Sequence, residues 1–465
     1  MSLARRLLGL ALLALAAGCT TPAGLEPRPR QAVSPMPPDW VAQRPHGASA
    51  LELSRWWSGF RDPTLVWLIE AAQGESASIA QAGARIAEAR EALARAGGAR
   101  LPSLDAALSR TRGPVSFGGA PFLRTQDLLQ FQSSWEIDLF GGLAAGRQAE
   151  QARLAARTAG WHEARVAVAA EVATAYVALR GCESQAVLER QTLASRRDTE
   201  QLSRVAFSAG LQAADAALLA RTQTADQTAR LQARLAECDL SIKALVALTG
   251  SAEPALRERL GQAPPGLPMP AAFTVESLPV QLLAQRPDLA AAEAELVAAG
   301  GDIGAAESRR WPRLALSGAI GPLRFEASGI SLSTTNWSFG PTLSLPLFDN
   351  GARNAAVDSA RARQVAAEAR YRQAVRQAVR EVEEAMVRLA SLGQRADEAE
   401  RALEGYRVLR DAARVRREAG LGNAFELEEA NRLWLQSQAG LLALRQERVL
   451  AWVALYRALG GGWSP

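Results

Sequence analysis

The strongest constraint on this chain is that one unit is written twice. Arg100-Leu101-Pro102-Ser103-Leu104 returns as Arg310-Trp311-Pro312-Arg313-Leu314, Phe207-Ser208-Ala209-Gly210-Leu211 as Arg417-Glu418-Ala419-Gly420-Leu421, and Leu245 to Gly250 as Leu455 to Gly460. All three pairs are 210 residues apart, and Leu139-Phe140-Gly141 against Leu347-Phe348-Asp349 falls within two residues of that offset. One such match is easily accidental, whereas four in the same order mark a duplicated structural unit. The joint is the proline-rich stretch Ala263 to Pro270. The chain therefore divides into a first repeat at 51–262, a linker at 263–275 and a second repeat at 276–462.

Each repeat shows the same order of elements. A helix (about 62–98; about 276–308) is followed by two short strands around a Gly/Pro-rich loop. A very long helix (about 143–207; about 351–418), a glycine turn and a returning helix (about 212–249; about 424–459) complete the unit. The segment from Gly142 to Ser208 has no proline and is rich in alanine, with Glu and Arg interspersed. At ~1.5 Å per residue it reaches on the order of 100 Å, a length for which a globular domain has no use. In the returning helix Leu427, Ala430, Trp434, Leu441 and Leu444 keep a three-four spacing, interrupted by Ser437, as in a coiled coil. Gly210 and Gly420 stand where each long helix turns back, because glycine tolerates the left-handed conformation of a helix C-terminus. Cys182 and Cys238 lie 28 residues before and after Gly210, at the same height of such a hairpin. A disulfide is expected if the segment lies in an oxidising compartment; the alternative is two buried thiols pointing apart.

The strand segments alternate with period two. Leu104, Ala106 and Leu108 alternate with Asp105, Ala107 and Ser109; Phe131, Trp135, Ile137 and Leu139 alternate with Gln130, Gln132, Ser134, Glu136 and Asp138. In the second repeat Leu314, Leu316 and Ile320 alternate with Arg313, Ala315 and Ser317. Trp337, Phe339, Leu343, Leu345 and Leu347 alternate with Ser338, Gly340, Thr342 and Ser344. Each strand thus has one wet and one apolar face. A length of roughly ten residues suits a tilted membrane strand, although a half-buried soluble sheet alternates in the same way. Pro341 and Pro346 weaken the fourth strand, since proline donates no ladder bond. The strand count bears on the choice: four strands cannot close a barrel, and an open edge cannot sit in lipid. Membrane strands would require several chains to share one barrel. Two chains would give eight strands with a filled interior, three would give twelve and an open bore.

The N-terminus addresses the chain. Arg5 and Arg6 precede an eleven-residue apolar run, Leu7 to Ala17, too short to span a bilayer and suited to a signal-peptide core. It ends in Leu15-Ala16-Ala17-Gly18-Cys19, which resembles a bacterial lipobox, with residues 1–18 as the signal peptide and Cys19 as the acylated residue. Ala16 departs from the commoner Leu, and Thr20 after the cysteine points to the outer membrane. Residues 19–50 are proline-rich and suit an extended tether. Net charge is +5, and +3 without Arg5 and Arg6. It is spread along helices where Arg alternates with Glu, which argues against nucleic acid as a partner. The two histidines, His46 and His162, and four scattered methionines offer no metal site. Phosphate loops, nucleophile motifs and cofactor fingerprints are missing from the sequence, so no enzyme activity and no cofactor are expected.

These residues together resemble the outer membrane factor, or TolC-like, family, in its lipoprotein branch serving efflux systems. The likeness covers about residues 50–462: Trp56-Trp57 with Phe60 and Asp62-Pro63, Arg286-Pro287-Asp288-Leu289, Ile303-Gly304-Ala305-Ala306 before Trp311-Pro312, and Ser344-Leu345-Pro346-Leu347-Phe348-Asp349 with Gly351. Two departures stand out: Gly74-Glu75-Ser76-Ala77 replaces the family's usual Asn-Pro-Asp-Leu, and Gly422 occupies a place where some members carry an acidic gate residue. The resemblance implies a mainly helical fold with a small β part. It implies a homotrimer, with a 12-stranded β-barrel in the outer membrane on a 12-helix periplasmic α-barrel. It further implies a periplasmic adaptor and an inner-membrane pump, of the proton-driven RND type, as partners. Phe207, Gly210, Leu211, Arg416, Gly420 and Gly422 would form the tips where the adaptor docks and the gate opens. Gln132, Ser134, Glu136, Thr342 and Ser344 would line the barrel lumen. Leu104, Trp135, Ile137, Leu314, Leu316 and Trp337 would face lipid, and the loops at about 113–127 and 321–334 the exterior. The expected function is passive efflux conduction; a protein-secretion channel on the same fold, or a non-conducting coiled-coil lipoprotein, are the alternatives.

Overall fold

The computed structural model describes residues 41, 56–116, 121–269, 286–327 and 329–462. The signal peptide, Cys19, all of the tether but residue 41, and residues 270–275 of the linker lie outside them. The duplication is expressed element by element. Helix α1 (Pro63–Glu75) leads into α2 (Ala77–Gly98), strands β1 (Ser103–Val115) and β2 (Phe122–Ile137), α3 (Gly142–Ser208), α4 (Ala214–Thr249) and α5 (Glu253–Gln262). The second repeat gives α6 (Pro287–Ser308), β3 (Arg313–Ala327), β4 (Ile330–Ser344), α7 (Ala352–Glu418) and α8 (Ala424–Ala458). The long helices α3 and α7 each have 67 residues, and α2 and α6 each have 22.

Several expected boundaries move. The helix expected over 62–98 is two helices. Asp62 caps α1, its carboxylate accepting from the Thr64 and Leu65 amides at 2.9 and 3.2 Å, with Pro63 in the first turn. Ser76 is extended, and its hydroxyl accepts from the Ile79 amide, so Ser76 both ends α1 and caps α2. The second repeat's helix α6 spans Pro287–Ser308, and the stretch 276–285 expected to open it lies outside the described residues. The strands are 13 to 16 residues long rather than about ten. The loops expected at 113–127 and 321–334 are mostly paired strand, because β-sheet accepts their Ser, Thr and Arg as readily as a loop does. β4 stops at Ser344, short of the expected Leu347, just before the donor-less Pro346.

The four strands form one antiparallel sheet in the order β1-β2-β3-β4, so β1 and β4 are open edges of the single chain. Pro341 sits in edge strand β4 opposite Leu316. Between β2 and β3 the ladder pairs Leu128 with Leu323 and Phe131 with Ile320, skipping the two residues between. Pro322 has no N–H to give there, and a Cβ on Gly321 would meet the Leu129 carbonyl oxygen at 1.8 Å.

The chain divides into two compact units. One holds the sheet with Ala84–Thr158 and Ala291–Gln373. There α6 lies against the start of α3 through small residues: a Cβ on Gly301 would meet the Ala145 carbonyl at 2.9 Å and Ala149 at 3.0 Å. Arg153 clips the same pair of helices, donating to Glu150 at 2.7 Å and to Asp302 at 2.5 Å. The other unit includes Ala159–Ala290 and Ala374–Pro465 and carries the main apolar core. Leu65 and Leu68 of α1, Tyr176 and Leu179 of α3, Leu245 of α4, Leu256 of α5, Met386 of α7 and Leu455 of α8 are fully buried in it. Trp56 and Trp57 pack on Tyr456 at ring-centroid distances of 5.6 and 4.6 Å. Gly301→Leu should force α6 off α3 and lower stability by about 1–3 kcal/mol, the usual cost of overpacking, seen as a drop in the thermal unfolding midpoint.

Candidate functional site

Two surfaces merit attention: the faces of the sheet in one unit and the helix turns in the other. Antiparallel partners point to the same face, so the register assigns every strand residue to one of two sides. Rows read across all four strands place Leu104, Trp135, Ile137, Leu314, Leu316 and Trp337 together on one side. Leu108, Phe131, Ile320, Phe339 and Leu343 join them. Trp337 is 71% exposed and Phe339 74%, a contiguous apolar surface that a soluble monomer would not present to water. Gln132, Ser134, Glu136, Thr342 and Ser344 all fall on the other side, with Asp105, Gln130 and Ser338. On that face Gln132 donates to Gln130 at 2.8 Å and Arg313 to Glu136 at 2.5 Å.

The change from strand to helix is held by short-range bonds. Asp138 accepts from the Leu143 and Ala144 amides at 3.1 and 2.7 Å, and Asp349 from those of Gly351 and Arg353 at 3.1 and 3.2 Å. Each carboxylate thereby satisfies orphan donors at the start of a long helix. Phe140 stacks on Trp311 at 5.5 Å.

At the other surface both turns have the same geometry. Gly210 and Gly420 adopt φ of +74° and +75°. The Leu211 amide donates to the Ala206 carbonyl and the Leu421 amide to that of Arg416, both at 2.8 Å, as a six-residue C-terminal cap. Leu211 is 83% exposed and Leu421 81%, with Phe207 half-exposed beside them. Gly422 lies against Arg416, whose Cβ would be 3.2 Å from a Cβ there. Cys182 and Cys238 are joined by a disulfide spanning 56 residues, with Cα atoms 5.5 Å apart.

Sequence reasoning missed the polar interior near these turns. The buried stripe of α8 runs through Glu428, Leu435 and Val449, with Leu441, one residue off much of the expected seam. Trp434 instead lies at the stripe's edge under the guanidinium of Arg410, 3.9 Å from the ring centroid. Ser195 donates to the buried Glu428, and Arg196 to Gln223 at 2.5 Å. Burial first and a neighbouring guanidinium second push Arg196 and Arg432 below the usual arginine range. The seven-residue spacing of Glu428 and Leu435 was the available signal, hidden by the polar identity of its first member. Among the described residues no group of His, Cys, Asp and Glu is arranged to hold a metal ion, and no helix is long and apolar enough to cross a membrane.

A sheet apolar on one side, wet on the other and open at both edges, in a chain with helices of this length, fits the wall of an outer-membrane channel. The sequence profile of the family described as Outer membrane efflux protein matches residues 68–251 and 278–461, one match in each repeat, and the chain belongs to that family. It is 31% identical to outer membrane protein OprJ of Pseudomonas aeruginosa, over 97% of this chain and 95% of that protein. It is 29% identical to the solvent efflux pump outer membrane protein SrpC of Pseudomonas putida, over 97% of each. Its fold superposes on the outer-membrane channel OprN with a TM-score of 0.80 at 28% identity, covering 94% of this chain and 96% of that one. The protein is an outer-membrane efflux protein, and the members of its family are channel proteins.

Two outcomes follow from the second unit. Replacing Cys182 and Cys238 with Ser should cost about 2–4 kcal/mol through the freed denatured chain, measurable as a lower denaturant midpoint. Glu163 is pushed above its usual range by burial first, then by the charges of Asp288 and Glu381, against Arg286 and Arg457. Its folded form therefore binds the proton more tightly than the unfolded chain, and its contribution to stability is lost as pH rises above the unfolded value of 4.5. Glu163→Gln should melt higher than the parent at pH 7, with the difference vanishing once the pH is taken below that value.

Proposed function

We propose that three copies of this chain close a 12-stranded barrel in the outer membrane on a 12-helix periplasmic tunnel. Together they form the exit duct of a tripartite efflux pump. The open edges of the four-stranded sheet carry this reading. In hydrocarbon each unpaired edge N–H and C=O costs several kcal/mol, and identical neighbours supply partners for both edges. The apolar side then faces lipid, and Gln132, Ser134, Glu136, Thr342 and Ser344 keep the bore wet. Solutes cross passively; the chain is not an enzyme and takes its driving force from an inner-membrane pump, of the RND type, reached through a periplasmic adaptor. The exposed apolar tips Phe207, Leu211 and Leu421, with Gly210, Arg416, Gly420 and Gly422 setting their turns, are the surface offered to that adaptor. Packing of these tips sets whether the duct is shut or open, a two-state equilibrium biased by the partner. Cys19 carries the lipid anchor after removal of residues 1–18, and 19–50 tether it to the body. The repeats 51–262 and 276–462 each give the barrel two strands.

The test uses the full chain in vesicles. Gln132→Cys should react with a membrane-impermeant maleimide from the aqueous phase, and Trp337→Cys only with a lipid-soluble one; Cys182 and Cys238 are already bonded. The detergent-extracted protein should run as a trimer and conduct in planar bilayers. A stable monomer with both introduced thiols open to the aqueous reagent would overturn the reading.

A further inference from the structure

The outer part of the sheet carries a charge pattern that a simple two-faced barrel wall does not require. On the apolar side, non-polar residues dominate from the Ile137 row to the Leu129 row. That is about 26 Å of strand at ~3.3 Å per residue, and roughly 20 Å of height at the usual tilt of a membrane strand. The next two rows on the same side hold Arg110, Asp127, Arg324 and Ser333, then Arg112, Thr125, Glu326 and Ser331. At this level the opposite side is mixed, Leu128, Leu323, Phe325 and Leu332 sharing its rows with Ser109, Thr111, Gln126 and Thr334. The change on the apolar side follows directly on the interruption of the β2–β3 ladder at Gly321 and Pro322.

Three guanidinium groups meet two carboxylates in these rows. Arg110 lies 3.4 Å from Asp127, and Arg324 lies 2.8 Å from Glu326. Arg112 has no carboxylate partner among the described residues. Arg110 and Arg324 keep 71% and 56% of their side chains exposed, so the ion pairs orient the forks without covering them. We propose that Arg110, Arg112 and Arg324 form a belt that binds the phosphate groups of anionic lipid in the outer leaflet. The inference rests on the barrel placement above, in which the hairpin turns point outward. Its own support is the position of the belt, directly beyond the apolar band and on the same side, together with its surplus of positive charge. A guanidinium fork matches two phosphate oxygens at once, and a long arginine stem reaches from the strand to the headgroup level. A protein partner is disfavoured because the surface is continuous with the band that lipid would cover.

The experiment reconstitutes the full-length protein with bis-phosphorylated lipid A, or with the same lipid stripped of its phosphates. Lipid retained per assembly after detergent exchange is counted by native mass spectrometry, and conductance is recorded on the same preparation. The parent should retain the phosphorylated lipid about tenfold better than the stripped one, and Arg110→Gln/Arg112→Gln/Arg324→Gln should lose about that factor while still conducting. Arg112→Gln alone breaks no ion pair and should give a loss of about threefold, which covers a triple variant that does not assemble. Equal retention by parent and Arg112→Gln, or equal retention of the two lipids, overturns the belt. Displacement of the lipid by millimolar inorganic phosphate would mean a free-anion site and overturns the lipid assignment. A parent that conducts but retains no lipid sinks this inference alone; a parent that neither conducts nor inserts sinks the barrel beneath it as well.

Discussion

Backbone hydrogen bonding at the edges of a four-stranded sheet governs the rest of this structure. β1 and β4 each expose a row of N–H and C=O groups that no other strand among the described residues satisfies by sheet pairing. In water such an edge is an aggregation hazard; in lipid it is forbidden. The edge problem and the exposed apolar face would share one resolution, the ring of identical sheets proposed above. The register then becomes critical, because a slip of one residue would carry Trp337 and Leu314 to the polar side of the sheet and Thr342 to the apolar side. Between β3 and β4 it is held by the pairing of Ala327 with Ile330, beside Gly329 with φ of +85°.

The joint between sheet and helix solves a second problem. Side-chain period must change from two to 3.6 within a few residues, and the first amides of each long helix need acceptors. Asp138 and Asp349 supply them in the two repeats, next to Gly141 and Gly351 with positive φ. A helix of 67 residues has little intrinsic reason to persist in water, so its stability comes from what it packs against. In the sheet-bearing unit that partner is reached through Gly301 and Gly304, which admit α3 at a distance larger residues would forbid. In the other unit it is a broad core to which α1 and α5 contribute.

The architecture was legible because it is duplicated. The 210-residue offset seen in a handful of peptides proved to be the offset of whole helices, and the period-two pattern sorted eleven named strand residues onto two faces that the register keeps apart. What stayed hidden had physical reasons. The outer strand halves carry Arg110, Arg112, Thr125 and Ser331, whose polarity breaks the alternation and imitates a loop, although their backbones are fully paired. The break at Ser76 depends on a single hydroxyl cap, which a run of helix-forming residues on both sides conceals. Glu428 occupies a buried position of α8 that hydrophobic periodicity assigns to its neighbours.

That last case bears on how such a helical hairpin can be both long and responsive. Around Tyr176, Met386 and Trp452 the second unit is sealed by apolar contact, and separating those surfaces would expose them to water at full cost. Closer to the turns the same helices meet through Ser195 and Glu428, through Arg196 and Gln223, and through Gln227 and Glu189. Water can replace each of these partners, so parting them costs far less than parting an apolar seam of equal length. The half-buried guanidinium groups of Arg196 and Arg432, held below their usual range by burial, would regain hydration on opening. Toward the turns the helix contacts therefore change in kind, from a core fixed by area to a stretch where exchangeable hydrogen bonds are interleaved with buried Leu193, Ala413 and Leu435. The opening of the tips proposed above would draw on that gradient, with the apolar core left sealed.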